Sequence, residues 1–302
     1  LEDGLSVGAV FSVLPVGTEG RTEDYLTNIR DTVEEAIQDS FEEEDVSPWI
    51  LQTYTFDTFD LDTLADDMAN YVKQHAKGSV FTNEYLRIAR KHYRGISKEG
   101  GLFVDNDVTK TEWGGKVRKS YLVIYRRLSP NPKSTVNNDE LEISAAESLN
   151  ETCEKFINAL KPIRVDLQRL KGQEFHHWLQ EFFNPSTDLY NGDIRHFLSV
   201  VKQKEDDLPI GNEFSETLLY SNPRSDDKNK CWWFGDAAMR SISIDGIRKR
   251  PVIGHTTGEI PRGDSINTMM DLLPEGTVMV STTVIVPQDT IELHIASIEK
   301  AA

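Results

Sequence analysis

Strand-like and helix-like apolar patterns alternate along residues 1–170, and their order restricts the fold more than any other feature of the chain. Residues 6–14 (SVGAVFSVL) have strand composition and are ended by Pro15 and Gly17. Across residues 22–40, Tyr25, Leu26, Ile29, Val33 and Ile37 recur at helical spacing while the acidic residues take the opposite face. Residues 49–56 (WILQTYTF) read as a buried strand, and two helices are expected around residues 61–75 and 83–93. A glycine-rich loop (Gly100, Gly101, Gly114, Gly115) then leads to a strand over 121–125, which Ser129-Pro130-Asn131-Pro132 closes off. Residues 140–160 carry the longest helical pattern, with Leu141, Ala145, Leu149, Phe156 and Leu160 inward. Pro162 stops it before a strand-like run over 163–170.

With the two middle helices set aside, this is the βαββαβ order of a ferredoxin-like sandwich, in which helices cover one face of an antiparallel sheet. Trp49, Leu51, Tyr121, Val123 and Phe156 are expected in its core. Beyond it, a helix over 172–183 precedes a stretch broken by Pro185, Gly192, Pro209 and Gly211. Strands are expected over 232–234, 239–247 and 277–286, and helices over 264–273 and 289–300. The fold class is therefore α+β: a ferredoxin-like domain with inserted helices over 1–172, then a second, smaller α+β unit over 173–302.

The 302 residues are 38% hydrophobic and include five Trp, nine Tyr and thirteen Phe, too apolar for a disordered chain. Two cysteines, Cys153 and Cys231, exclude a disulfide framework as the organising principle. The most apolar run, residues 278–287, is far shorter than the roughly 20 residues a membrane-spanning helix needs and reads as a strand. Leu1 is not an initiator and residues 5–16 lack the basic flank of a signal peptide, so the expectation is a start inside a longer product.

The net charge of −17 is segmented. Residues 1–70 hold 18 acidic side chains against Arg21 and Arg30, whereas residues 71–128 hold 13 basic and five acidic ones. A generally acidic surface repels phosphate backbones, so direct nucleic-acid binding is not expected. Within the basic stretch, Arg87, Arg90, Lys91 and Arg94 lie among or beside Phe81, Tyr85, Ile88 and Ala89 on one expected helix. Such a helix suits an anionic surface or an acidic protein face, or else it simply faces the acidic segment of its own domain.

Catalytic signatures are weak. Gly258-Glu259-Ile260-Pro261-Arg262-Gly263-Asp264-Ser265 has the glycines and serine of a phosphate loop, but Asp264 stands where Lys must neutralise the β/γ-phosphates. It reads as a turn in which Asp264 caps a helix. His177 with Glu181 and His255 with Glu259 are i,i+4 pairs without a third ligand at a recognised spacing. Asp57, Asp60, Asp62, Asp66 and Asp67 lack the glycine and closing glutamate of a calcium loop. No G-x-S-x-G occurs, and Trp232-Trp233-Phe234 in a strand would send neighbours to opposite faces.

Arg250-Pro251-Val252-Ile253-Gly254-His255-Thr256-Thr257-Gly258-Glu259, Leu273-Pro274-Glu275-Gly276-Thr277 and the run from Pro287 to Ile295 together resemble conjugative transfer ATPases of type IV secretion systems, the TraC-type branch. Trp178-Leu179-Gln180-Glu181-Phe182-Phe183-Asn184-Pro185, Trp232-Trp233-Phe234-Gly235 and the opening Leu1-Glu2-Asp3-Gly4 are similar to that family too. The resemblance implies a hexameric motor at the cytoplasmic side of the bacterial inner membrane, with an N-terminal assembly region ahead of a RecA-like ATPase domain. This sequence would be the former, leading toward an ATPase domain it does not contain. The implied role is docking on subunits of the same ATPase and on type IV secretion channel proteins, with peripheral membrane contact. No catalysis, cofactor or metal is expected in the fragment, ATP and magnesium belonging to the motor. The rival expectations are a free-standing enzyme built on scattered groups such as His255, Glu259 and Asp264, and an adaptor for anionic surfaces.

Overall fold

The computed structural model describes residues 6–17, 20–41, 48–58, 61–97, 103–104, 112–126, 145–184, 218–219, 221–243 and 277–285. The chain divides into two compact units, one of residues 1–168 with 252–302 and one of residues 169–251.

The first unit is built on a five-stranded sheet. Its strands are β1 (Val7–Leu14), β2 (Trp49–Thr58), β5 (Val117–Arg126), β6 (Asp166–Arg169) and β10 (Val278–Ile285), in the spatial order β10-β2-β5-β1-β6. β1 and β2 both pair antiparallel with β5, and β10 pairs antiparallel with β2. Without β10 this is the ferredoxin-like order, and the two crossover helices, α1 (Glu23–Ser40) and α4 (Ala145–Leu160), fall where that fold needs them. Thr22 caps α1, its Oγ1 accepting from the Tyr25 N–H at 3.4 Å, and Glu23 and Asp24 favour the positive end of the helix dipole.

Both helices lie on one face of the sheet. Ala36 and Phe41 at the end of α1, and Leu149, Cys153, Phe156 and Leu160 of α4, are buried with Ala9, Phe11, Trp49, Leu51, Leu122 and Ile124 of the strands. Phe41 is the hinge of this cluster: its ring centroid lies 5.7 Å from Trp49 and 5.5 Å from Phe156, both in tilted or edge-on geometry. The side chains of β5 that enter the core are Leu122 and Ile124. Tyr121 and Val123, expected inside, belong to the opposite face and are half-buried. The apolar run of β5 has no polar alternation to fix its phase; pairing does that, setting Ile124 opposite Ala9 and Leu51, and Leu122 opposite Phe11. On the other face Phe56 stacks on Tyr121 at 5.9 Å, and Tyr54 hydrogen-bonds Gln52, which reaches Thr282 of β10. Burial and the nearby Tyr125 raise the pKa of the Tyr54 hydroxyl.

β10 corrects the expected division at residue 172. Residues 278–285, expected in the second unit, instead pair along β2 from Val278 opposite Phe56 to Ile285 opposite Trp49. A strand that mixes Val with Ser and Thr suits a largely exposed edge, and β2 offers it a full row of backbone donors and acceptors.

Between β2 and β5 the chain adds α2 (Asp62–Tyr71), α3 (Val80–Ile96) and a two-stranded ribbon of β3 (Phe103–Val104) with β4 (Glu112–Trp113). The run expected as a strand over 163–170 begins instead as a 3-10 turn (Lys161–Ile163), leaving only β6 extended.

In the second unit, α5 (Gln173–Phe183) ends at Asn184, whose buried side-chain amide donates to the carbonyls of Gln180 at 2.8 Å and Leu218 at 2.7 Å. β7 (Arg224–Asp226), β8 (Cys231–Phe234) and β9 (Ala237–Met239) form a three-stranded meander. The strand expected over 239–247 does not form over 240–243: β9 ends at Met239, and residues 244–247 lie outside the described residues. Asp226 ties its first turn together, accepting from the Asn229 backbone N–H and side-chain amide and from Trp233 Nε1 at 3.3 Å. These bonds, those from Asn229 foremost, hold its carboxyl below the usual range. The helices expected over 264–273 and 289–300 lie outside the described residues.

Candidate interaction surface on the helical insertion

The four basic residues singled out in the sequence all stand on α3. Its start is well specified. Gly78 takes φ +75, a conformation other residues resist, and Ser79 caps the helix by accepting from the Thr82 N–H at 3.2 Å. The far end of α3 is fixed to the sheet-side chain. The Gly115 N–H donates to the Ile96 carbonyl at 2.7 Å, and a Cβ on Gly115 would lie 2.8 Å from Leu61 Cδ1.

Three of the four cations have carboxylate partners close by. Arg94 donates from Nε and Nη2 to Asp62 Oδ2 at 2.8 and 2.5 Å. Arg90 Nη2 reaches Asp66 Oδ1 at 2.7 Å, and Arg87 grips Glu84 one turn back with two bonds of 2.8 and 2.6 Å. The Arg87 bonds hold the Glu84 carboxyl low and raise the guanidinium. Lys91 is exposed and in no ion pair among the described residues. Asp62 and Asp66 lie on α2, so Arg90 and Arg94 serve to join the hairpin. Nearer the sheet, Asp57 binds Arg118 directly across from it on β5, and Lys116 at 2.9 Å. Burial pushes the Asp57 carboxyl up, but the hydrogen bonds and charges of Arg118 and Lys116 outweigh it and leave the pKa low. The acidic residues considered for calcium are thus largely counter-ions to the basic stretch; Asp60 lies outside the described residues.

α3 carries two apolar stripes, where the sequence reading grouped one. Leu86 is buried, with Ala89, Tyr93 and Ile96 half-buried on the same side, and Tyr93 Oη lies 3.4 Å from Met68 Sδ of α2. Phe81, Tyr85 and Ile88, at i, i+4 and i+7, point to solvent, Phe81 being 89% exposed. Val80 and, at the end of α2, Tyr71 are exposed with them. The spacing of Leu86, Ala89, Tyr93 and Ile96 was the signal that could have separated the two sides.

Other candidates do not converge. His177 and Glu181 are half-buried on α5, Cys153 is in the core, and Trp232 faces solvent while Trp233 bonds Asp226. No group of three or more potential metal ligands occurs among the described residues. His255, Glu259 and Asp264 lie outside them.

The architecture defines an α+β protein of ferredoxin-like strand order, with a helical hairpin inserted between its second and third core strands and a smaller α+β unit inserted ahead of its edge strand. The chain belongs to the TraC family of type IV secretion and conjugative transfer proteins: the family model described as TraC protein matches residues 1–302. No curated protein and no solved structure matches it. Its role is accordingly in conjugative transfer by type IV secretion.

Proposed function

We propose that this chain is the N-terminal assembly and docking region of a conjugative transfer ATPase, contacting neighbouring subunits and channel components without catalysis of its own. Membership of the TraC family along residues 1–302 carries the reading. Two features support it. The nearest match to a phosphate loop has Asp264 in place of the Lys that a bound triphosphate requires, and a carboxylate there opposes the nucleotide. The inserted hairpin also presents an exposed apolar stripe, which a chain devoted to its own packing has no need to expose.

Calorimetry with Mg-ATP on the 302-residue chain, beside phosphate release by the chain and by a parent carrying a motor domain, tests the proposal. The expected result is an inactive chain that binds no nucleotide and an active parent. Micromolar binding or turnover by the chain alone would replace docking with an enzymatic reading.

A further inference from the structure

We propose that the outward stripe of α3, with the turn joining it to α2, is a contact surface for an anionic lipid bilayer. The apolar part is Tyr71, Val80, Phe81, Tyr85 and Ile88, all exposed, Tyr71 at 94%. Tyr71 is the last residue of α2, and Val80 and Phe81 are the first two of α3, so they flank the turn that ends the hairpin. That turn is ordered by the Ala76 and Lys77 N–H groups, which donate to the Lys73 carbonyl, and by the Ser79 cap. An end with two nearly bare aromatic rings, Tyr71 and Phe81, suits insertion among headgroups, where amphipathic rings settle; protein hot spots are more often recessed.

Charge selects the kind of bilayer. Residues 68–97 contain six Lys or Arg and one acid, Glu84, which Arg87 neutralises. Arg90 and Arg94 are held by α2, so the cations left for a partner are Lys73, Lys77 and Lys91, none in an ion pair among the described residues. Lysines beside exposed aromatics can rest their stems on the apolar surface while the ammonium reaches lipid phosphates. The sequence expectation centres on Arg87, Arg90, Lys91 and Arg94; the proposed contact is centred on the start of α3 and shares only Lys91 with that set. No described helix is long and apolar enough to cross a membrane; an amphipathic helix edged by lysines lies in the plane of the interface.

Co-sedimentation of the 302-residue chain with phosphatidylcholine vesicles, with and without phosphatidylglycerol, tests this. Binding to the anionic vesicles is expected. Replacing both Tyr71→Ser and Phe81→Ser should lower it by roughly tenfold or more, as should Lys73→Glu with Lys77→Glu. All four side chains are exposed, so thermal unfolding should not move. A Phe81→Trp variant should shift its emission to the blue on the same vesicles, reporting insertion itself. The proposal is overturned if the chain ignores anionic vesicles, if the paired variants bind as well as the parent sequence, or if Trp emission stays put while the protein sediments. Loss of a protein partner by the Tyr71 and Phe81 variant, with vesicle binding unchanged, would assign the stripe to protein docking instead.

Discussion

Arg94 and Asp62 form an asymmetric pair: the guanidinium is largely exposed, whereas the carboxylate that accepts two of its N–H bonds is 3% exposed at the first turn of α2. Exposed ion pairs contribute little, but a buried carboxylate depends on what solvates it. Arg94→Ala should therefore destabilise the first unit by about 1–3 kcal/mol, the cost of an under-solvated buried acceptor. Asp62→Asn with Arg94→Ala should recover part of the loss. Denaturant unfolding of the two variants measures the difference.

Asp57 gives the first unit a specific acid sensitivity. Its folded pKa is depressed, so its contribution is present above the unfolded value, roughly 3.9, and is lost as pH falls through the folded one. Thermal midpoints should fall below roughly pH 4, and Asp57→Asn should flatten that limb while lowering stability at neutral pH. Equal slopes for both proteins would show that Asp57 is not the group responsible.

Gly115 seats the inserted hairpin. Because a Cβ would lie 2.8 Å from Leu61 Cδ1 and 3.0 Å from Ile96 Cγ1, Gly115→Val should push the hairpin from the sheet at a cost of about 1–3 kcal/mol. Hydrogen exchange should accelerate at the Gly115 amide, whose bond to Ile96 would be strained, more than in α4.

In the core, Phe156→Ala should cost about 3–5 kcal/mol, since the ring fills the space between α4, Phe41 and the sheet. Val123→Ala, on the other face of β5, should cost much less. Comparable losses at both sites would contradict the phase of β5.

The same strand shows where sequence reasoning stops. The βαββαβ order was legible because helical and extended periods differ within a single element. The phase of β5 was not, since Tyr121-Leu122-Val123-Ile124-Tyr125 is apolar on both faces and only pairing with β1 and β2 chooses between them. The position of β10 was hidden for a related reason: a strand carries no mark of a partner more than two hundred residues earlier. For the candidate surface, the basic residues were visible by composition, but their engagement by Asp62 and Asp66 is a tertiary fact. The exposed stripe of α3 was hidden because Leu86, Ala89 and Tyr93 share the helix with it.

The pairing of β10 with β2 has a consequence for synthesis. A ribosome emits the rest of this sheet and then the whole of residues 169–251 before Val278–Ile285 emerges. During that interval β2 is the outermost described strand on its side, a template for pairing with any neighbouring nascent chain. Fragments cut near residue 172 would carry that vulnerability permanently. They should associate through β2, whereas in the chain extended through Ile285 that edge of β2 is occupied by β10.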